Sequence, residues 1–307
     1  MSFAVVPVAP ASALFAAAVD FVKPREWRAV SLASNLAADG KPSYPGRQIA
    51  DFVCLAEMDG QRGPDLSANE TGSETATGAV TGVVGVILRT STGIVLHCFK
   101  EGFDLREAKD ALKAFLARKK VRSILGPGAE NRVLESLITD TPYQTVDYRL
   151  MSLSVPPDAT LAAIPGVLEA GQAQPDEVDL ILPLQEGYEK EEVIPPGDPF
   201  NRAACRVNLA RALERQRVIL ARANGIPVAK AGTNARGFAY DQIGGVYTAP
   251  SWRGQGLATA LVSRISRELM NEGRKVVLFV KPDNEPARRA YEKAGFKPEL
   301  PFRIAYF

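Results

Sequence analysis

The chain has 307 residues, 46 % of them hydrophobic and 23 % charged. That is enough to bury cores for two domains at ~100–200 residues per domain, and too long for a disulfide-stapled miniprotein. Lys and Arg number 37 against 35 Asp and Glu, a net of +2, so the total charge demands neither nucleic acid nor an anionic membrane as a partner. Residues 1–177 carry 17 basic and 21 acidic side chains while residues 178–307 carry 20 and 14, which makes the second half the better host for an anionic ligand.

Cys54, Cys98 and Cys205 are odd in number and far apart, and His97 is the only histidine. The pattern speaks against a disulfide framework or a zinc site, so no metal is expected, and it fits a cytoplasmic setting. The apolar stretch around Ala11–Val19 has no Lys or Arg before it, and no run approaches ~18 uninterrupted apolar residues, so a buried helix is expected there rather than a secretory or membrane segment.

Leu14, Phe15, Ala18, Phe21 and Val22 recur at helical spacing, Pro24 interrupts, and a second helical stretch, Arg25–Ala38, stops at Gly40. Ile49–Met58 reads as a strand, and the Gly, Ser, Thr and acid-rich Gln61–Gly78 as a mobile loop. Val80–Leu88 and Gly93–Phe99 form a hairpin pattern. A helix over Asp104–Lys119 follows, with Asp104 as its cap and Leu105, Ala108, Leu112 and Phe115 on one face. The strand Val121–Leu125 runs into Gly126-Pro127-Gly128 and a helix over Glu130–Leu137, and Tyr143–Val155 returns to strand. Pro156-Pro157 and the Ala, Gly, Gln and Pro-rich Ala170–Pro175 place a domain boundary near 157 and a linker over 158–177.

In the second half Val178–Leu182 reads as a strand, Glu186–Val193 as a helix or turn, and Asn201–Gln216 as a helix. Arg217–Ala223 and Ile226–Gly232 form a hairpin about Asn224-Gly225. A long strand Phe238–Thr248, a helix from Gln255 to Glu272, the strand Lys275–Val280, a helix Glu285–Ala294 and a terminal strand pair complete the chain.

The run Gly244-Gly245-Val246-Tyr247-Thr248-Ala249-Pro250-Ser251-Trp252-Arg253-Gly254-Gln255-Gly256-Leu257-Ala258 is a strand, a Pro-broken turn and a small-residue loop opening a helix. Glycines at 254 and 256 let backbone N–H groups approach an anion, the helix start supplies orphan donors and its positive dipole end, and Arg253 adds fixed charge, so a diphosphate is the natural ligand. Leu257, Leu261, Val262, Ile265 and Leu269 form the apolar stripe that anchors this helix.

Arg253, Gly256 and Ala258 match the signature of the GNAT acetyltransferase superfamily, Arg or Gln, two residues, Gly, one residue, then Gly or Ala, and the chain resembles that family here. The resemblance continues in Val277–Val280 followed by Lys281-Pro282-Asp283-Asn284-Glu285-Pro286-Ala287-Arg288-Arg289-Ala290-Tyr291-Glu292-Lys293-Ala294-Gly295-Phe296, and covers residues 178–307. Residues 1–157 lack the Arg–Gly loop, but their order of hairpin, helix, strand, Gly126-Pro127-Gly128 and helix resembles a degenerate GNAT half. The implied fold class is α/β (α+β), a two-domain tandem with a mixed sheet whose central strands splay in the C-terminal domain.

The resemblance implies acetyl-CoA as cosubstrate. Its pantetheine arm would bond the edge of Gly245, Val246, Tyr247 and Thr248, and its diphosphate would meet Arg253, Gly254, Gln255, Gly256, Leu257 and Ala258. A backbone N–H near Val246 can polarise the acyl carbonyl, and Tyr291 stands where the family carries the tyrosine that protonates the departing thiolate. Packing beside Phe296 is the simpler role for Tyr291, and Asn284 suits a helix cap as well as a pantetheine contact.

Family members often carry Glu at the position of Gln242, and an amide accepts no proton catalytically. Asp241 faces the other side by strand alternation unless a bulge at Gly244-Gly245 re-aims it, and Glu186, Glu189, Glu191 and Glu192 read first as a solvated helix face. Arg202, Arg206, Arg211, Arg215 and Arg217 also read as a solvated face, His97 as a structural histidine, and Cys205 lacks a histidine to activate it. The leading expectation is an N-acetyltransferase with no nucleic-acid or membrane partner. A non-catalytic acyl-CoA sensor and an aminoacyl-tRNA-dependent transferase are the alternatives, the latter opposed by the net acidic first half.

Overall fold

A computed structural model describes residues 2–37, 49–59, 80–157, 169–194 and 197–307. The expected loop Gln61–Gly78, the stop at Gly40 and the first part of the expected linker lie outside them. The elements of the first half are β1 (Ser2–Pro7), α1 (Ala13–Val22), α2 (Val30–Ala37), β2 (Ile49–Met58), β3 (Val80–Thr90), β4 (Ile94–Phe99), α3 (Lys109–Ala117), β5 (Ser123–Pro127), α4 (Gly128–Ser136) and β6 (Gln144–Leu153). Those of the second are β7 (Glu169–Gln172), α5 (Val178–Tyr188), α6 (Arg202–Arg215), β8 (Val218–Ala223), β9 (Ile226–Arg236), β10 (Tyr240–Thr248), α7 (Leu257–Asn271), β11 (Lys275–Val280), α8 (Glu285–Lys293) and β12 (Lys297–Tyr306).

The chain forms two compact units, Met1–Asp147 with Pro301–Phe307, and Tyr148–Leu300. The division falls before residue 157 and returns the C-terminal segment to the first unit, because Phe302–Tyr306 pair antiparallel with Ser123–Pro127. In that unit β1, β2, β3 and β4 are antiparallel neighbours, β4 and β5 run parallel, and Leu105, Leu112, Phe115 and Leu134 are buried in its core. The Asp104 carboxylate caps the short 3-10 turn before α3 by accepting from the Arg106 N–H at 3.0 Å.

In the Tyr148–Leu300 unit β6, β11, β10, β9, β8 and β7 lie side by side, β10 and β11 parallel and the other neighbours antiparallel. Asn224 and Gly225 both take positive φ, 50° and 77°, as the tight turn between β8 and β9 requires. Along β8, Val218 and Leu220 pack with α5 and α6 while Ile219 and Ala221 pack with α7, the two-residue period of a strand covered on both faces. The stripe Leu257, Leu261, Val262, Ile265 and Leu269 is buried, so α7 is held rigidly and its first turn can serve as a fixed site.

Four elements differ from expectation: Ser2–Pro7 is a strand paired with β2, the terminal strand pair is the single strand Lys297–Tyr306, and two further segments change type. Val178–Leu182 is not a strand but the first turns of α5, with Val178, Ile181 and Leu182 buried at helical spacing. A short apolar run is ambiguous by period alone. The deciding signal lies upstream, in Gln174-Pro175-Asp176-Glu177, where the Glu177 carboxylate accepts from the Gln174 N–H at 2.7 Å in a capping box. Glu169–Gln172, expected as linker, is an edge strand on β8, a role that these four residues acquire through that pairing.

Candidate active site

The parallel register of β10 with β11 ends at Ile243↔Leu278, and among the described residues β10 runs on to Thr248 paired with β9 alone. That parting leaves one edge of Gly244–Thr248 without a strand partner. On the same stretch the register with β9 jumps from Gly244↔Gly232 to Tyr247↔Lys230, so Gly245 and Val246 form a bulge, with Gly245 at φ +60°. The Gly245 carbonyl accepts from the Lys230 ammonium Nζ at 2.7 Å, and the Gly245 N–H donates to the Tyr188 hydroxyl, which also accepts from the Asn234 amide.

Beyond Thr248 a 3-10 turn, Pro250–Trp252, leads into Arg253, whose Nε donates to the Thr248 carbonyl at 3.1 Å. Gly254 and Gly256 take φ of 76° and 82°, in the left-handed region that disfavours a side chain, and Gly256 caps α7 without any side-chain acceptor for the first-turn N–H groups. Arg253, Gly254, Gln255 and Gly256 are exposed, Ala258 is half-buried and Leu257 is buried as the anchor. Uncapped amides, positive-φ glycines and a guanidinium at one helix mouth fit an anionic diphosphate, and the open edge of β10 fits an extended arm carrying amides.

The acidic stretch after α5 is more than a solvated face. Glu189–Val193 form a π-helical turn, and each carboxylate on this stretch has a partner. Glu191 accepts from Arg253 Nη2 at 3.0 and 2.8 Å and from the Tyr247 hydroxyl at 2.6 Å. Glu192 accepts from the Asn284 amide at 3.0 Å and pairs with Lys281 at 3.1 Å. Glu186 pairs with Arg202 at 2.6 Å, and Glu189 accepts from Gln185 at 3.0 Å. One short turn therefore ties the end of β10 to the end of β11 through three residues expected at the coenzyme, Tyr247, Arg253 and Asn284. Periodicity could not show this, because the partners lie 56 to 92 residues away.

Asn284 caps α8, its side-chain oxygen accepting from the Ala287 N–H at 3.1 Å. Tyr291 is buried on α8, its ring centroid 6.4 Å from that of Phe296. Burial pushes the Tyr291 phenol well above its ordinary range, and the neighbouring Tyr188 and Glu192 push it further, so it stays protonated at neutral pH. Asp241 is fully buried and held by Arg274 Nη2 at 2.7 Å and by Arg236 Nε at 3.4 Å, which makes it a structural ion pair rather than a base. Gln242 is also buried.

Elsewhere His97 is buried with Nε2 3.1 Å from the Asn131 side-chain oxygen. Cys205 is buried, which pushes its thiol up to about 12 and removes it as a nucleophile. Arg202, Arg206 and Arg217 pair with Glu186, Asp179 and Glu272. Among the described residues no group of three or more His, Cys, Asp or Glu could hold a metal ion, and no helix is long and apolar enough to cross a membrane.

Residues 184–296 match the family model for the acetyltransferase (GNAT) family. Comparison with curated proteins gave no match. Among solved structures, a Drosophila protein is similar at TM-score 0.64 and 12 % identity over 99 % of this chain and 98 % of its own. A tandem GNAT protein from the clavulanic acid biosynthesis pathway is similar at TM-score 0.59 and 13 % identity over 99 % and 98 %. A GCN5-related N-acetyltransferase from Kribbella flavida reaches TM-score 0.50 and 21 % identity over 73 % and 86 %. At these identities the likeness speaks for the fold. The residues that match the acetyltransferase (GNAT) family model include the open strand edge and the helix mouth, and the α/β fold as a whole is similar to that of a tandem GNAT protein.

Proposed function

We propose that the Tyr148–Leu300 unit is an acetyl-CoA-dependent N-acetyltransferase acting on a primary amine by direct attack in a ternary complex. The observation that carries this reading is the parting of β10 from β11 after Ile243, on the same strand as the Gly245–Val246 bulge and just before the uncapped mouth of α7. Gly245, Val246, Tyr247, Thr248 and Asn284 would hold the pantetheine arm, and Arg253, Gly254, Gln255, Gly256, Leu257 and Ala258 the diphosphate. Acetyl-CoA, when bound, supplies an acyl group activated as a thioester. Binding energy gathered at the remote phosphates fixes the thioester beside the bulge, where a backbone N–H of Val246 can donate to its carbonyl.

The amine must be neutral to attack, and its ordinary pKa of ~10.4 means that it first gives a proton to solvent. Its nitrogen then bonds to the acyl carbon as the carbon–sulfur bond breaks. The Tyr291 phenol gives its proton to the departing sulfur and is restored by the proton that the new amide nitrogen loses. No carboxylate is assigned as base, since Asp241 is ion-paired and position 242 holds an amide. That same feature favours a second reading, an acyl-CoA sensor without turnover.

Thiol release from acetyl-CoA against pools of amines, measured beside coenzyme A calorimetry on the wild type and Tyr291→Phe, tests the reading. Release should fall at least several-fold in the variant while coenzyme affinity holds. Undiminished release removes Tyr291 from its role, and coenzyme binding without release from any pool favours the sensor.

A further inference from the structure

A bulge takes a peptide out of the sheet ladder and leaves its polar groups to find other partners. At Gly245 both are met by side chains, the N–H by the Tyr188 hydroxyl and the carbonyl by Lys230 Nζ at 2.7 Å. Lys230 is buried on β9, with Nζ 4.7 Å above the Tyr188 ring. The approach is close: a Cβ on Gly245 would lie 3.2 Å from Nζ.

The Gly245 carbonyl and the Val246 N–H belong to one trans peptide group, so they point in opposite directions. A carbonyl turned to Lys230 sends the Val246 N–H away from Lys230. A cationic donor on the oxygen also draws electron density from the amide and strengthens its N–H as a donor.

Resting on the acetyltransferase reading, we infer that Lys230 is a positioning residue for acyl transfer, which grips the Gly245 carbonyl and thereby aims and polarises the Val246 N–H toward the acyl oxygen. It touches neither substrate nor coenzyme and acts through the peptide. Residues facing its ammonium are Tyr188 on α5, Glu189 on the following turn and Cys205 on α6. Burial pulls Lys230 down to about 7 while Glu189 and Cys205 oppose the shift. Burial holds Tyr188 and Cys205 above their ordinary values, clear of the neutral range. The ammonium is therefore lost as pH rises through about 7, and with it the stronger form of the clamp.

Nuclear magnetic resonance of protein labelled with 15N-valine and saturated with coenzyme A, titrated from acid to alkaline across neutrality, reads the clamp directly. The Val246 amide should move with a midpoint near that of Lys230 in the wild type, and be flat in Lys230→Met and in Lys230→Arg, whose guanidinium stays charged. With an amine found by thiol release, Lys230→Met should lower kcat about tenfold, less than the ~10²-fold or more for loss of a whole oxyanion donor, with KM for acetyl-CoA nearly unchanged. Lys230→Arg should recover part of kcat and lose the decline of rate above neutrality. Retained coenzyme A binding shows that each variant folds, and either one suffices for the comparison. Coenzyme A binding with a Val246 amide that ignores pH in the wild type overturns this inference alone. A rate limb that rises with pH and vanishes in Lys230→Met makes Lys230 a proton acceptor and overturns it too. Absence of coenzyme A binding by the wild type overturns the functional reading along with it.

Discussion

Glu191→Gln should tighten coenzyme A binding. In the wild type the Arg253 guanidinium is engaged by both Glu191 oxygens, and the same carboxylate accepts from Tyr247, so an incoming diphosphate meets a cation that is already neutralised. The Arg253 and Glu191 side chains are 47 % and 44 % exposed, so the pair is discounted to the ~0.2–1 kcal/mol of solvent-screened pairs. Relieving the like-charge approach of carboxylate and diphosphate acts in the same direction, and a total of about 1 kcal/mol corresponds to roughly fivefold in Kd. Calorimetry of coenzyme A with wild type, Glu191→Gln and Arg253→Ala reads this, and the gap between the first two should narrow as salt is raised. The Tyr247 hydroxyl and then Arg253 hold the Glu191 carboxyl below its usual range. The gap should therefore persist from neutral pH down to about 5 and close only in stronger acid. Equal or weaker binding by Glu191→Gln, with Arg253→Ala still losing affinity, would refute the reasoning that the two anions compete for Arg253.

Asp241→Asn should destabilise the protein by about 3 kcal/mol in denaturant unfolding, since a fully buried carboxylate is removed from Arg274 and Arg236; a loss near zero would mean that the carbonyls of Gly237, Phe238 and Tyr240 hold Arg274 unaided. At Glu177, partial burial raises the carboxyl but the Gln174 N–H and Arg222 outweigh it, and the net shift is downward. Its contribution to stability is therefore present above the unfolded value of ~4.3 and lost as pH falls through the lowered folded value, so Glu177→Gln should flatten the acid side of a stability-against-pH curve. An unchanged acid slope would exclude that linkage.

Much of the local geometry at the candidate site is legible from neighbouring residues. Gly254 and Gly256 must take positive φ, Asn224-Gly225 must turn, and Asn284 caps the helix that follows it, because each depends on neighbours within one turn of chain. The stripe of α7 likewise fixed which side of that helix is buried. The helix α5 was hidden because Val178–Leu182 offers an apolar run too short to distinguish periods, although the capping box before it carried the signal.

Neighbouring residues alone specify the glycines at the mouth of α7, the strand leading to it and a pattern that resembles the GNAT family. Where the charges go depends on contacts between distant segments. The tertiary structure ties Glu191 to Arg253 across 62 residues, seals Asp241 between two arginines, and sets Lys230 against the carbonyl of Gly245. It also returns the last residues of the chain to the first unit. Glycine conformations and amphipathic periods are properties of adjacent residues. Ion pairs, bulges and strand neighbours depend on which distant segments meet, and a side chain's type does not state its partner.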